Sequence, residues 1–264
     1  MVDVLASRLE TLLPGGKGVW VPMDHSSSSF PERGLVDPNS SVDSAIDGGA
    51  DAIILHKGAV SYHSKRTGWK RFVCHASVST VHGGNRSQDK ILVANATESI
   101  SRGAIAISAQ VNLGDPEEPE MIRRMASITT ESVVAGIPVL GMFYPRGENL
   151  NLDESDITGG VAHAARLAWE MGCNVVKVPW PGSIESFRIV TSSVPIPVLV
   201  SGGARDRDFL DILKIVEQSL IAGGAGVCIG RHVFGSEKPV SRIKALRAMV
   251  HDGVNSDEAL KYLG

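Results

Sequence analysis

Short runs of β-branched and other apolar residues alternate with longer segments whose apolar side chains recur at helical spacing, from residue 18 to the end of the chain. Continuous apolar runs suit strands buried on both faces, and their regular interruption by helices reads as βα units around a parallel sheet. Eight strands are predicted, at 18–24, 52–56, 71–76, 105–111, 138–144, 174–178, 197–201 and 226–230. Between them, Met121, Met125 and Ile128 fall on one helical face, as do Val161, Ala164, Ala165 and Ala168, and again Ile212, Ile215, Val216 and Leu220. Glycines at 48–49, 103, 136, 172 and 223–224 stand where helices should stop. The segment 61–85 carries no helical period and reads as loop or hairpin.

Eight strand–helix pairs in 264 residues is the size of one (β/α)8 TIM barrel. The chain is therefore expected to be a single α/β barrel domain, with 1–17 as a lead-in and 253–264 as a helical tail. A doubly wound open sheet is the alternative, but no G-x-G-x-x-G follows the first strand. The hydrophobic fraction of 43% supports a large core, and the net charge of -3 is scattered, so neither nucleic acid nor an anionic membrane is an expected partner. Cys74, Cys173 and Cys228 are odd in number and sit in apolar runs, which fits reduced core thiols in a cytoplasmic protein. No signal sequence or membrane span is expected.

In a TIM barrel the chemistry lies at the C-terminal ends of the strands, and the unusual polar residues fall there. Lys177 sits inside the apolar run Val175-Val176-Lys177-Val178. Burial lowers the pKa of an ammonium, so a usable fraction of neutral, nucleophilic amine is expected; the bland alternative is a lysine that snorkels or pairs with a carboxylate. Asp24, ending the first strand, is a candidate base or cation partner, or else an N-cap. Tyr144 is a candidate proton donor or relay, or a packing residue of the rim. Ser201, Gly202 and Gly203 after the seventh strand, with Gly230 and Arg231 after the eighth, read as a phosphate cradle of backbone N–H groups and one guanidinium. Arg146 either binds a substrate anion or braces its loop. Lys57 is a rival amine, expected at a strand tip and in contact with an anion, and His25 joins the substrate-binding set. His25 and His56 have no third metal ligand at recognisable spacing, so no metal is expected.

These residues resemble the class I (Schiff-base) aldolases of the archaeal-type fructose-bisphosphate aldolase superfamily. The resemblance spans Val19 to about Val250. It is carried by V-P-M-D-H at 21–25, L-H-K-G at 55–58, Q-V-N-L-G at 110–114, Y-P-R-G at 144–147, V-A-H-A-A-R at 161–166, V-V-K-V at 175–178, V-S-G-G at 200–203 and G-V-C-I-G-R at 226–231. Within the superfamily it looks closer to the branch using L-aspartate 4-semialdehyde as acceptor. That branch holds the 2-amino-3,7-dideoxy-D-threo-hept-6-ulosonate synthases of aromatic amino acid biosynthesis and the aminohydroxybenzoate-pathway synthases. The resemblance implies that Lys177 forms the Schiff base, Tyr144 transfers protons, Asp24 assists at the imine and the two glycine turns hold phosphate. It also implies a small phosphorylated carbonyl substrate, such as dihydroxyacetone phosphate or a 1-phospho-ketohexose, no cofactor beyond the covalent lysine, and a homo-oligomer. The chain departs from the superfamily at Ser26, Ser27, Ser28 and Ser29, where a glycine turn is usual, at Trp180-Pro181-Gly182-Ser183, and at Met142, where the fructose-bisphosphate enzymes carry Trp. Fructose-bisphosphate aldolase proper, a thiolase-like acyl transferase acting on a phosphorylated diketone, and a non-catalytic phosphate-binding barrel stay open as alternatives.

Overall fold

The computed structural model describes residues 2–152, 156–203 and 206–264. Eight parallel strands close into a barrel: β1 (Gly18–Pro22), β2 (Ala52–His56), β3 (Phe72–His75), β4 (Ala106–Leu113), β5 (Val139–Pro145), β6 (Val175–Val178), β7 (Val198–Ser201) and β8 (Gly226–Cys228), with β8 pairing back onto β1. Each expected strand is present, displaced at its ends by two residues or fewer, and the closed barrel excludes the open sheet.

Alternation along each strand divides the core in two. One set, including Val19, Val21, Val176, Val178, Val198 and Val200, packs outward against the helices. The other set, Trp20, Ala52, Ile54, Val73, Ala106, Leu140, Met142, Val175, Leu199 and Cys228, fills the barrel. Lys177 has the parity of Val175, so its side chain is carried into the barrel. Register pairs it with Met142 on β5 and Leu199 on β7.

The helices cover the outer set. Met121, Met125 and Ile128 are the buried face of the helix Glu118–Ala135, and Val161, Ala164, Ala165 and Ala168 that of Thr158–Glu170. In Phe209–Ile221, Ile212, Ile215 and Val216 are buried while Leu220 is half-buried. The helix Val2–Leu12 closes the N-terminal end of the barrel: Leu12 and Leu13 are buried with the interior set, and the Trp20 indole donates to the Leu12 carbonyl at 2.8 Å. No helix among the described residues is long and apolar enough to cross a membrane.

The segment without helical period resolves into two pieces. A short helix, Lys57–His63, follows β2, and beyond β3 the chain makes an excursion over the mouth. There Ser77–Val78 pairs antiparallel with Ile91–Leu92 around a turn at Val81–Arg86. The excursion is anchored by Arg86 and Arg124, which both grip the buried carboxylate of Asp89, and by a hydrogen bond from the Asn112 side chain to the Gln88 carbonyl.

Trp20→Ala is expected to destabilise the fold by about 3–5 kcal/mol in chemical denaturation, since it opens a cavity in the interior layer and frees the Leu12 carbonyl.

Candidate active site

The C-terminal mouth of the barrel encloses a cavity of about 640 Å³. Its floor and walls include Asp24, His25, Lys90, Gln110, Met142, Tyr144, Arg146, Lys177, Ser201, Gly202, Gly203, Cys228, Gly230 and Arg231. Strand parity explains the set, because the last inward residues of β4 to β8 are polar or small where the interior residues below them are apolar.

Lys177 is 7% exposed. Its ammonium stands 6.0 Å from the centre of the Tyr144 ring, with the Tyr144 phenol, Asp24 and Cys228 as the polar groups that act on it. Burial pulls its pKa down, as the sequence suggests, but Cys228, Tyr144 and Asp24 act the other way and outweigh it, so the pKa lies above the ordinary 10.5. This corrects the expectation of a depressed amine. Burial pushes the Cys228 thiol up to about 11, which leaves it uncharged at pH 7 and makes Asp24 the counter-charge.

Asp24 opens a short turn after β1 and retains 18% of its side-chain surface. Burial works against its charge, yet His25, His75, His56 and Lys177 together hold the carboxyl well below its ordinary 3.8. His75 Nε2 and His25 Nδ1 each lie 3.9 Å from a carboxylate oxygen. Burial depresses both imidazoles, His75 to about 3, so they are neutral at pH 7 and Lys177 is the full positive charge facing Asp24. His75 Nδ1 is 2.8 Å from Ser108 Oγ, and His56 spans the Ser27 hydroxyl (2.5 Å) and the His75 carbonyl (3.0 Å). Asp24 Oδ1 is buried without a hydrogen-bond partner, an acceptor left unsatisfied beside His25.

The two glycine turns meet at one end. Arg231 donates to the Gly203 carbonyl at 3.2 Å and begins a short helix, Arg231–Phe234. A methyl group at Gly230 would stand 2.3 Å from the Pro22 carbonyl oxygen, so only glycine lets this turn close on β1. At the neighbouring edge, Arg146 lies over the Tyr144 ring (4.8 Å) and donates from Nε to Asn112 Oδ1 at 3.0 Å, which also accepts from Gln110 at 2.7 Å. Gly147 is required here too, since its Cβ would fall 2.1 Å from the Gly114 carbonyl carbon.

Thus the mouth gathers Lys177, Tyr144, Asp24, His25, Ser201, Gly202, Gly203, Gly230, Arg231 and Arg146. Lys57 is elsewhere. It starts the helix after β2 and pairs with Glu98 at 3.2 Å, away from the cavity lining, because the helix begins at once and turns its side chain outward. Lys90, Gln110, Asn112, His75 and Cys228 escaped the sequence reading. Inward parity on β3, β4 and β8 could have found four of them; Lys90 sits in the excursion, where no period exists. Among the described residues no three His, Cys, Asp or Glu side chains converge as a metal site. The assembly places an amine beside a carboxylate and a phenol, with an anion cradle at one end, and so suits carbonyl chemistry on a phosphorylated compound.

Residues 19–236 match the DeoC/LacD family aldolases. The chain belongs to the DeoC/LacD aldolase family. It is 35% identical to 2-amino-3,7-dideoxy-D-threo-hept-6-ulosonate synthase 1 of Archaeoglobus fulgidus, over 97% of this chain and 95% of that one. It is 34% identical to 2-amino-4,5-dihydroxy-6-oxo-7-(phosphonooxy)heptanoate synthase of Streptomyces griseus, over 88% and 84%. An archaeal fructose 1,6-bisphosphate aldolase of known structure is 25% identical and superposes with a TM-score of 0.82, covering 94% of this chain and 100% of the other. A Schiff-base-forming fructose-1,6-bisphosphate aldolase shares the fold at a TM-score of 0.83, with 24% identity over 94% and 100%. The family match and the named synthases make this DeoC/LacD protein an enzyme of the aldolase kind.

The neutral imidazoles give the aldolase an acid-sensitive core. The unfolded chain takes up protons at histidine near pH 6.5, whereas buried His75 does so only near 3, so stability falls as the pH drops through that interval. Asp24 has the depressed-carboxylate sign, and its contribution is lost only below about 3.8. Between about pH 6.5 and 4 the slope therefore belongs to the imidazoles. His75→Gln is expected to lower it by up to about 1.4 kcal/mol per pH unit in urea titrations, with His25 and His63 supplying the remainder.

Proposed function

We propose that the aldolase forms a Schiff base between Lys177 and the ketone of dihydroxyacetone phosphate or a related phosphorylated ketose, and joins the resulting enamine to an aldehyde. The observation that carries this reading is the buried Lys177 ammonium set against Asp24 and Tyr144 inside the mouth.

The amine is stored protonated, so its proton must leave as substrate arrives. Asp24, with one unpartnered oxygen, is placed to take it, and the bare amine adds to the ketone carbon to give a carbinolamine. Protonation of the carbinolamine oxygen, from Tyr144 or Asp24, expels water and leaves an iminium. Loss of a proton from the adjacent carbon gives the enamine; its carbon attacks the aldehyde, whose oxygen takes up a proton, and water then hydrolyses the new iminium to release product and amine. The Gly202–Gly203 turn and Arg231 hold the donor phosphate while these steps proceed, which fixes the ketone carbon against Lys177.

The relatives bear on the acceptor. In the product named for the Streptomyces griseus synthase, the ketone at carbon 6, the phosphate on carbon 7 and the hydroxyls at 4 and 5 mark the bond between carbons 4 and 5 as an aldol bond. Cleaving it on paper gives dihydroxyacetone phosphate and L-aspartate 4-semialdehyde. We assign this chain the same class of acceptor, an aldehyde carrying an amino-acid end.

Borohydride reduction in the presence of dihydroxyacetone phosphate is expected to add one donor residue to Lys177, seen by peptide mass spectrometry, and Lys177→Met is expected to abolish it. Tyr144→Phe is expected to keep the adduct while losing roughly 10²–10⁴-fold in turnover, the range for removal of a general acid or base. Absence of the adduct from the unmodified protein would rule out the Schiff-base reading for this donor.

A further inference from the structure

The cavity holds more positive charge than a single phosphate requires. Among its described lining residues Asp24 is the sole carboxylate, against Lys90, Arg146, Lys177 and Arg231. Asp24 acts on both Lys177 and Lys90, and Arg231 belongs to the glycine cradle, which leaves Lys90 and Arg146 as the surplus cations on the excursion side. The barrel order makes that side definite. In the closed ring β3 stands opposite β7, and the excursion after β3 brings Lys90; Arg146, past the end of β5, is held by the Asn112 side chain of β4 and lies within electrostatic reach of both Lys90 and Arg231. The cradle rises from β7 and β8.

Both cations are built in. The Lys90 ammonium donates to Ser79 Oγ at 2.6 Å, and that hydroxyl is itself fixed by donating to the Ser87 carbonyl at 2.7 Å. Arg124 donates to the Lys90 carbonyl at 3.1 Å, tying the excursion to the helix Glu118–Ala135. Arg146 is held through Nε by Asn112, which turns its guanidinium over Tyr144. Neither Lys90 nor Arg146 forms an ion pair with a described residue, and Lys90 is half-buried, where burial and the charge of Arg146 pull its pKa down against the opposing effect of Asp24. Two neighbouring cations with no carboxylate in ion-pair contact, one of them half-buried, gain from an anion delivered by a ligand.

We infer that Lys90 and Arg146 form a second anion subsite, on the excursion side of the mouth, that takes the carboxylate of the acceptor aldehyde. The assignment rests on the proposed donor orientation, with the donor phosphate at the β7 and β8 end. It makes Lys90 a specificity residue for the acceptor, with no part in imine formation. The acceptor's aldehyde carbon is thereby directed toward Lys177 and Tyr144, between the two anion grips.

The test compares acceptors that differ in charge: L-aspartate 4-semialdehyde and succinic semialdehyde with a carboxylate, glyceraldehyde 3-phosphate with a phosphate, and glyceraldehyde with neither. Each is assayed with dihydroxyacetone phosphate on the unmodified protein, Lys90→Met and Lys90→Arg. The expected result is a preference for the carboxylate aldehydes over glyceraldehyde that falls roughly tenfold or more in Lys90→Met, mainly through KM. Lys90→Arg should restore it, and borohydride trapping of the donor on Lys177 should be unchanged in both variants. An undiminished preference in Lys90→Met, or no preference in the unmodified protein, overturns the subsite. A Lys90-dependent preference for glyceraldehyde 3-phosphate alone overturns the carboxylate assignment in favour of phosphate. Calorimetry with succinate, which has no carbonyl, separates this inference from the aldolase reading. Lys90-dependent succinate binding without any donor adduct keeps the subsite and sinks the Schiff-base reading, whereas adduct without Lys90-dependence does the reverse; loss of both overturns both.

Discussion

An ammonium inside a barrel of eight strands needs a counter-charge, and the electrostatic coupling of Lys177 to Asp24, at longer range than an ion-pair contact, is the constraint to which the rest of the mouth answers. A lone buried ion is too costly to keep, so the carboxylate must come within reach and must stay ionised. β1 and β6 supply the two partners from separate parts of the closed ring. The short turn after Pro22 brings Asp24 over the mouth, and β6 parity brings Lys177 up from below. The histidines complete the arrangement by staying neutral: His75 and His25 surround the carboxylate without competing for it as cations at pH 7.

The same pair organises the cavity into a centre and two ends. At the centre lie Lys177, Asp24 and Tyr144, with the thiol of Cys228 beneath them. The Gly202–Gly203 and Gly230–Arg231 turns form one end, where the absence of side chains leaves backbone and the Arg231 guanidinium lining the cavity. The other end depends on a part of the chain that is not barrel at all. The excursion after β3 has little regular structure of its own, but Asp89 gripped by two arginines and Asn112 bonded to the Gln88 carbonyl make it a fixed wall. Gln110, Asn112 and Arg146 extend that wall onto β4 and β5 as one hydrogen-bonded unit.

Most of the barrel was legible in the sequence because parallel strands covered on both faces must be apolar throughout. β2 runs over 52–56 as read, and the buried faces containing Met121, Met125 and Ile128 or Val161, Ala164, Ala165 and Ala168 follow their periods. The rim residues at strand ends were legible for a related reason, since a polar residue closing an apolar run has few places to go other than the mouth. Lys57 is the exception that shows the limit of that rule. It too follows a strand, but a helix begins with it, and Glu98 is waiting on the outside. The wall carrying Lys90 was not legible, because its position is set by contacts with Ser79, Asn112 and Arg124 that no local period encodes.

The protonation state of Lys177 shows why a strand read alone misleads about chemistry. Its neighbours in sequence are valines, and valines predict a desolvated amine with a lowered pKa. Its neighbours in space are Cys228, Tyr144 and Asp24, contributed by β8, β5 and the turn after β1, and their combined effect reverses the sign. The chemistry proposed for Lys177 therefore starts from its ammonium and needs a proton acceptor as well as a bound ketone. In that proposal Asp24 is the acceptor, its Oδ1 left unpartnered. Reactivity at this lysine is therefore a property of the closed ring, in which residues more than 150 positions apart, Asp24 and Lys177, share one proton's fate.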